Sequence, residues 1–211
     1  MSQANSLYGG TFNLHDRNNP RTIIANWVPE HAHVLEVGPG DGVISRWLKQ
    51  AKNCRTVGVE IVAAANYAAS DAFDNLIIGN IEEATVLSQI RDYSPFDAII
   101  FADVLEHLLD PWTILHQVRS VLSPQGRVLL SVPNIAHWTA RVNLLLGHFD
   151  YTDGYLMDRS HLRWFTRRSV DEMALAAGYR IVDEAIVYKP RWARFIKTWN
   201  GFQFVLNLAL P

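Results

Sequence analysis

The sequence predicts a doubly wound α/β fold with a mostly parallel sheet, and three observations support this prediction. Short runs rich in valine and isoleucine alternate with longer amphipathic runs along most of the chain. The short runs are almost continuously apolar, which is typical of strands covered on both faces of a parallel sheet. One of these runs leads directly into a glycine-rich turn that is followed by a helical pattern.

The first half of the pattern predicts an opening helix and five strands separated by helices. Pro20 favours the first turn of a helix over Pro20–Trp27, after a loose polar lead-in over residues 1–18. The predicted strands are His33–Val37, Thr56–Glu60, Asn75–Ile78, Ala98–Ala102 and Arg127–Val132, and the helices are Val43–Gln50, Ala63–Ala69, Ile81–Arg91 and Trp112–Leu122. The turn Pro124-Gln125-Gly126 is expected to lead into the fifth strand.

The pattern continues toward the carboxyl end after an interruption. A helix is predicted at Thr166–Ala177, because Gly178 is a usual terminating residue, followed by a strand at Tyr179–Tyr188. The tail contains a short helix at Pro190–Trp199 and a final apolar run, Phe202–Leu210. This run is interpreted as a last strand over Trp192, Phe195 and Trp199. The alternative, an exposed aromatic stripe for a membrane surface or a partner, is less common on a soluble monomer.

Length and composition predict one cytoplasmic domain spanning residues 1–211. The 211 residues are 49% hydrophobic, which is enough for a full core, and the formal net charge of −2 gives no reason to expect a nucleic-acid partner. The single cysteine, Cys54, excludes an internal disulfide and fits a reducing compartment. The first ten residues lack the features of a signal peptide, and no apolar run reaches the length of a membrane span.

The strongest functional signal is the turn that follows the first predicted strand. Glycines alternate at Gly38, Gly40 and Gly42, which allows a tight turn and a close approach of a ligand to the backbone. A dinucleotide motif would have its third glycine at position 43, which is valine here. Glu36 and Asp41 would repel a pyrophosphate and suit a cofactor with a positive end, such as S-adenosylmethionine.

A second carboxylate follows at the end of the next predicted strand. Glu60 comes 18 residues after Gly42, at a position where a carboxylate can accept both ribose hydroxyls of an adenosine cofactor. The alternative is an ordinary charge at a strand end.

These motifs resemble class I S-adenosylmethionine-dependent methyltransferases, and in particular the small-molecule branch of ubiquinone-pathway and MetW-like enzymes. The segments Leu35–Gly42, Glu60, Gly79–Glu82 and Phe96–Leu108 match the family motifs in order. The resemblance implies a Rossmann-like, seven-stranded sheet with an antiparallel last strand at its edge and a lid insertion after the fifth strand. It also implies S-adenosylmethionine as the cofactor and S-adenosylhomocysteine as its product.

The resemblance also implies further cofactor contacts. Asn80 would bind the adenine and Ile81 would pack on its face, while Ala102 and Asp103 lie at the end of the fourth strand, beside the crevice. His107 follows in the same motif and is a candidate general base, because its ordinary pKa lies near neutrality. The alternative is that His107 only holds a loop.

Residues 133–168 interrupt the alternation and are predicted to form the lid and the acceptor pocket. His161 or His137 could act as a base there, Asn134 lies at the strand end, and Arg159 or Arg163 could bind a phosphate or carboxylate. Alternatively, the segment is only a folded aromatic subdomain, and the charges of these residues face solvent. No metal site is expected, because the histidines lack ligand spacings such as H-x-x-x-H and there is no cysteine pair.

Three functions remain open at this point. The first is O-methylation of a small hydroxylated acceptor, such as a sugar or a glycan intermediate. The second is a MetW-like subunit that serves another enzyme without transferring methyl itself, and the third, an NAD-dependent oxidoreductase, is disfavoured by the acidic turn. A membrane-spanning segment is not expected, and a homodimer is left open.

Overall fold

The computed structural model describes residues 15–61, 70–191 and 201–211. The predicted helix at Ala63–Ala69 lies outside these residues, as do most of the predicted helix at Pro190–Trp199 and the side chains of Trp192, Phe195 and Trp199. The first fourteen residues of the polar lead-in also lie outside them.

The described residues form a seven-stranded sheet in the order β3-β2-β1-β4-β5-β7-β6. The strands are β1 (His33–Val37), β2 (Arg55–Glu60), β3 (Asn75–Ile78), β4 (Phe96–Ala102), β5 (Leu122–Pro133), β6 (Arg180–Tyr188) and β7 (Gly201–Ala209). Strands β1 to β5 are parallel, and β7 is antiparallel to both β5 and β6. This confirms the predicted mostly parallel sheet with an antiparallel last strand.

The last strand lies one position inside the sheet, which corrects its predicted place at the edge. β7 buries Phe204, Leu206 and Leu208, and it pairs on one side with β5 and on the other with β6. β6 is the edge strand, and it carries Asp183 and Glu184, which are exposed. Charged side chains suit an edge, because they discourage pairing with a further strand.

Helices cover both faces of the sheet. The described α-helices are α1 (Pro20–Trp27), α2 (Val43–Lys52), α3 (Ala84–Tyr93), α4 (Pro111–Gln117), α5 (Trp138–Leu145) and α6 (Arg167–Ala176). The side chains of Asn19, Asp110 and Thr166 cap α1, α4 and α6. These caps agree with the predicted helix starts, since a side-chain oxygen satisfies a free amide of the first turn.

Successive residues of the central strands alternate between two buried clusters. Ile99 and Phe101 of β4 belong to a cluster that includes residues of α3, α4 and α6, whereas Ala98 and Ile100 belong to one that includes residues of α1 and α2. This alternation follows from the twofold period of a strand. The two clusters are therefore the two faces of a doubly wound sheet.

The boundary between α4 and β5 differs from the prediction. The α-helix ends at Gln117 and continues as a 3₁₀ turn over Val118–Val121. β5 then starts at Leu122, because Leu122 already pairs with Phe96, and the predicted turn over 124–126 becomes an irregularity in the register before Arg127.

None of the helices that the structure describes is long and apolar enough to cross a membrane.

Candidate functional site

The strand registers bring the predicted cofactor residues to one edge of the sheet. Val37 pairs with Val59 of β2 and Phe101 of β4, so that Gly38, Glu60 and Ala102 emerge at neighbouring carboxyl ends. The chain runs from β1 to one side of the sheet and from β4 to the other. The gap between β1 and β4 is therefore the point where the strand order reverses, which is the usual ligand site of such sheets.

The glycine turn has the backbone geometry that the sequence predicts. Gly38, Gly40 and Gly42 have φ angles of +62°, +57° and +67°, in the left-handed region that glycine adopts readily. A Cβ atom on Gly38 would lie 2.8 Å from Cγ2 of Val104, which follows β4. The turn is thus in close contact with the chain beyond β4, and a side chain at Gly38 would fill the space between them.

Glu60 lies beside this turn. Its side chain is buried, and its Oε2 accepts a hydrogen bond from the Gly40 amide at 3.2 Å. Ile61, the next residue, is 63% exposed although it is a large apolar side chain. Sequence reasoning missed Ile61, and the only available signal was its position directly after the carboxylate.

Glu36 lies in β1, before the glycine turn, and contacts the helix that follows the turn. The side chain is 2% exposed, and its Oε2 accepts hydrogen bonds from the Ser45 amide at 3.2 Å and the Ser45 hydroxyl at 2.5 Å. Burial raises the pKa of this carboxyl to about 7, against the opposing hydrogen bonds from Ser45. Gly42, the N-cap of α2, has no side chain, so Glu36 takes over the capping of this helix. In this structure the side chain helps to position the turn, and its contact with the cofactor's positive end stays a prediction.

Asn80 and Ile81 follow β3 at the same edge. Asn80 is half-buried, and its Oδ1 accepts a hydrogen bond from the Glu82 amide at 3.0 Å. Ile81 is 4% exposed and belongs to the buried core. In this structure Ile81 therefore packs within the protein, and its contact with an adenine stays a prediction.

Asp103 turns the chain at the end of β4. It has a φ of +57°, and its Oδ1 accepts hydrogen bonds from the Ser131 hydroxyl at 2.7 Å and from Gln203 Nε2 at 2.9 Å. Burial raises the pKa of its carboxyl, against these two hydrogen bonds. Ala102, just before it, is half-buried and packs against the core.

A first cleft, of about 490 Å³, opens beside Asp103. Arg21 of α1 and Gln203 of β7 also line it, together with residues around the carboxyl end of β6. Arg21 forms an ion pair with Asp41 of the glycine turn at 3.6 Å. Arg21 was not predicted, since nothing in the sequence indicates that α1 lies over the turn.

The two predicted catalytic histidines meet next to this region. The rings of His107 and His161 stand edge to face with their centroids 4.9 Å apart, although His161 comes from the segment after β5. Burial and the neighbouring His107 lower the pKa of His161. Glu106 is buried beside them, and burial together with the charge of Asp103 raises the pKa of its carboxyl well above the usual range.

A second cleft, of about 510 Å³, has His161 in its wall. It is lined by Tyr151, Arg159, His161, Leu162 and Trp164, all from the predicted 133–168 insertion. Arg159 is exposed and pairs with Asp153 at 2.9 Å. The cleft therefore combines aromatic walls with one cation and one imidazole.

Three other predicted acceptor residues have structural partners instead. Asn134 is buried and its amide nitrogen donates to the Gly201 carbonyl at 2.7 Å, while its Oδ1 accepts from the Ala136 amide. Both ring nitrogens of His137 are engaged, by Thr139 Oγ1 at 2.8 Å and the Lys189 carbonyl at 3.1 Å. Arg163 donates to the carbonyls of Leu162 and Leu109. In this structure these side chains hold the segment after β5 in place, and their role in the acceptor pocket stays a prediction.

Three features are typical of α/β proteins that bind an adenosine cofactor where the strand order of the sheet reverses. They are the doubly wound sheet, the glycine turn and the carboxylate at the end of β2. The family model described as a methyltransferase domain matches residues 15–184. The chain therefore belongs to the methyltransferase-domain family, as a class I S-adenosylmethionine-dependent methyltransferase. This confirms the predicted family and cofactor.

Two curated relatives illustrate the range of this family. The tRNA 5-carboxymethoxyuridine methyltransferase of Escherichia coli (strain K12) is 30% identical over 136 residues, covering 61% of this chain and 50% of the relative. The ubiquinone biosynthesis O-methyltransferase of Pseudomonas aeruginosa (strain UCBPP-PA14) is 27% identical over 129 residues, covering 57% of this chain and 53% of the relative. The chain thus spans about half the length of the curated relatives it matches.

The fold is shared with solved structures at lower identity. One is the 1,6-didemethyltoxoflavin-N1-methyltransferase of Burkholderia thailandensis, with bound 1,6-didemethyltoxoflavin and S-adenosylhomocysteine. It is 18% identical, with a TM-score of 0.60, and the alignment covers 92% of this chain and 78% of that one. The likeness establishes the same fold.

Proposed function

We propose that the protein transfers the methyl group of S-adenosylmethionine to a hydroxyl of a small acceptor that also carries an anionic group. One observation carries this proposal: Asp103 lines the first cleft, His161 lines the second, and Asp103 lies close enough for its charge to affect the pKa of His161. The ring of His107 contacts that of His161. A cofactor in the first cleft and an acceptor in the second can therefore meet at this pair.

The residues around the glycine turn fit the cofactor. Gly38 is exposed, and the space that its missing side chain leaves against Val104 gives a ligand access to the backbone. The Glu60 carboxylate lies beside the turn, within 3.2 Å of the Gly40 amide, where it can accept the ribose hydroxyls. The exposed Ile61 next to it offers an apolar face to the adenine.

The first cleft suits the amino-acid end of the cofactor. Arg21 and Asp103 bring opposite charges to its walls, as an α-carboxylate and an α-ammonium require. Asp103 is held in place by Ser131 and Gln203, so its carboxylate keeps one orientation. When bound, S-adenosylmethionine supplies a methyl group already activated by its sulfonium, and the chain has to align an acceptor oxygen with it.

The second cleft suits a ring-shaped acceptor with a negative charge. Tyr151 and Trp164 present aromatic surfaces against which a sugar or an aromatic ring can pack. Arg159 can exchange its exposed pairing with Asp153 for a phosphate or carboxylate of the acceptor, because exposed ion pairs contribute little. His161 lines this cleft, and the His107–His161 pair is a candidate acceptor of the proton that the hydroxyl has to lose. The net charge of −2 favours a small acceptor over the tRNA on which the Escherichia coli relative acts.

The test has two stages. Calorimetric titration with S-adenosylmethionine and S-adenosylhomocysteine is expected to show one site per chain. Acceptors that combine a hydroxyl with a phosphate or carboxylate, starting with sugar nucleotides, are then screened for S-adenosylhomocysteine formation by mass spectrometry. Cofactor binding with turnover only in the presence of another protein would instead support the MetW-like alternative. Binding of neither compound would overturn the proposal.

A further inference from the structure

Three side chains that could bind a metal ion, two of them adjacent in the sequence and the third distant, meet beside the second cleft. Glu106 and His107 belong to the 3₁₀ turn Leu105–His107 after β4, and His161 belongs to the segment after β5. One potential ligand atom from each side chain lies within 4.8 Å of those of the other two. We refer to these three residues as the Glu-His-His cluster.

One carboxylate oxygen of the cluster lacks a hydrogen-bond partner. Glu106 is 1% exposed, and its Oε2 is buried without a hydrogen bond from any described residue. An ionised oxygen buried without a partner is costly, and Asp103 nearby adds a charge of the same sign. A bound cation would offset both costs. A buried glutamate with a purely structural role would instead be expected to have both oxygens hydrogen-bonded.

Both histidines have a backbone carbonyl behind Nδ1, as metal-ligating histidines often do. Nδ1 of His107 lies 3.2 Å from the Ser160 carbonyl, and Nδ1 of His161 lies 3.3 Å from the Leu156 carbonyl. Because a carbonyl can only accept, these contacts favour the tautomer that carries its proton on Nδ1 and has the lone pair on Nε2. A backbone carbonyl behind the ring fixes the tautomer and orientation of histidine ligands in metal sites.

The cluster is also held together by the backbone. The amides of Leu162 and Arg163 both donate to the Glu106 carbonyl, at 2.8 and 2.9 Å. These bonds fix the segment that carries His161 against the turn that carries Glu106 and His107. The three ligands are therefore positioned before any ion binds, which lowers the cost of binding.

We propose that Glu106, His107 and His161 bind one divalent transition-metal ion, with Glu106 providing the oxygen and the two histidines their Nε2 atoms. Two imidazoles and one carboxylate suit Zn²⁺, Co²⁺ or Mn²⁺, and three protein ligands leave a coordination position open. Since His161 lines the second cleft, that position is accessible to an acceptor. This role deepens the proposed function and rests on it: the ion would bind the acceptor hydroxyl and make it acidic enough to release its proton to solvent, so that neither histidine would have to act as the base.

The test measures metal binding directly. Untagged protein, freed of metal with a chelator, is titrated with Co²⁺ and followed by visible absorption and calorimetry. One ion per chain is expected, and Glu106→Gln and His161→Gln should each weaken binding about 100-fold or more. His148→Ala is the matched control, because His148 pairs with Asp150 at 3.7 Å in the same segment but is exposed and outside the cluster.

Thermal unfolding separates ligation from a purely structural role. Co²⁺ should raise the melting temperature of the wild type but not of Glu106→Gln, since only a bound ligand stabilises the folded state. Without metal, Glu106→Gln should melt no lower than the wild type, because it removes a carboxyl whose ionised form is costly to bury. The inference is overturned if the wild type binds no stoichiometric ion, or if the two variants bind as tightly as the wild type.

Titration of the same samples with S-adenosylhomocysteine keeps the two proposals distinguishable. Cofactor binding without metal binding would overturn the metal site and leave the proposed function standing. Metal binding without cofactor binding would support the metal site and overturn the proposed function.

Discussion

The buried carboxylate of Glu36 accepts two hydrogen bonds from Ser45, which joins the end of β1 to the first turn of α2 beneath the glycine turn. The glutamate thus caps a helix whose own N-cap, Gly42, has no side chain to do so. The geometry of the cofactor turn therefore depends on a group that is almost inaccessible to the cofactor.

The raised pKa of Glu36 predicts a pH-dependent stability. Its pKa is about 7 in the folded protein against 4.5 in the unfolded chain, so its contribution is fully present below pH 4.5 and is lost as the pH rises toward 7. The loss amounts to at most about 3 kcal/mol. Glu36→Gln removes this term, and urea unfolding from pH 5 to 8 should show the wild type losing stability relative to the variant. Parallel curves for the two proteins would contradict this.

A substitution in the glycine turn should disturb both stability and cofactor binding. Gly38→Ala forces an L-residue to a φ of +62° and brings its Cβ to 2.8 Å from Val104. The strain alone costs about 1–2 kcal/mol, and the contact adds to it. Gly147→Ala is the matched control, because its φ is +81° but no atom lies within 4 Å of its Cβ. Denaturation should show a larger loss for Gly38→Ala, and an equal loss would argue against the close approach.

Glu60 is expected to contribute to cofactor affinity. Glu60→Ala removes a charged acceptor for two hydroxyls and should weaken S-adenosylhomocysteine binding by about 1–3 kcal/mol. Calorimetry provides the measurement, with Glu83→Ala as the control, since Glu83 is an exposed glutamate after β3. Unchanged affinity in Glu60→Ala would remove Glu60 from the ribose site.

Local signals in the sequence were sufficient for much of the fold. The bounds of α1, β1 and β3 agree with the predictions, because Pro20 and the apolar runs mark these elements within a few neighbouring residues. The conformation of the glycine turn could also be predicted from neighbouring residues, since glycine readily adopts the positive φ angles that the turn has. Glu60 lies beside the glycine turn because β2 pairs in parallel with β1, so that the carboxyl ends of the two strands are neighbours.

Features that depend on long-range contacts could not be predicted in this way. The Glu-His-His cluster requires the segment after β5 to return to the turn after β4, and no ligand spacing along the chain indicates this. For the same reason, the place of β7 between β5 and β6 follows from pairing partners and not from its apolar run. His137 and Asn134 are polar residues at a strand end, and only their buried partners distinguish a structural role from a binding role.

Arg159 provides the test of the acceptor cleft once an acceptor is known. Its guanidinium is exposed and pairs with Asp153, so Arg159→Gln should leave the fold intact. If it binds an anionic group equally in the ground and transition states, the KM for the acceptor should rise about 10-fold while kcat stays unchanged. The KM for S-adenosylmethionine should not move. Arg168→Gln is the control, since Arg168 is exposed and pairs with Glu172 on α6, outside the cleft. A fall in kcat alone would mean that Arg159 acts on the transition state, and no change in either constant would remove it from the acceptor site.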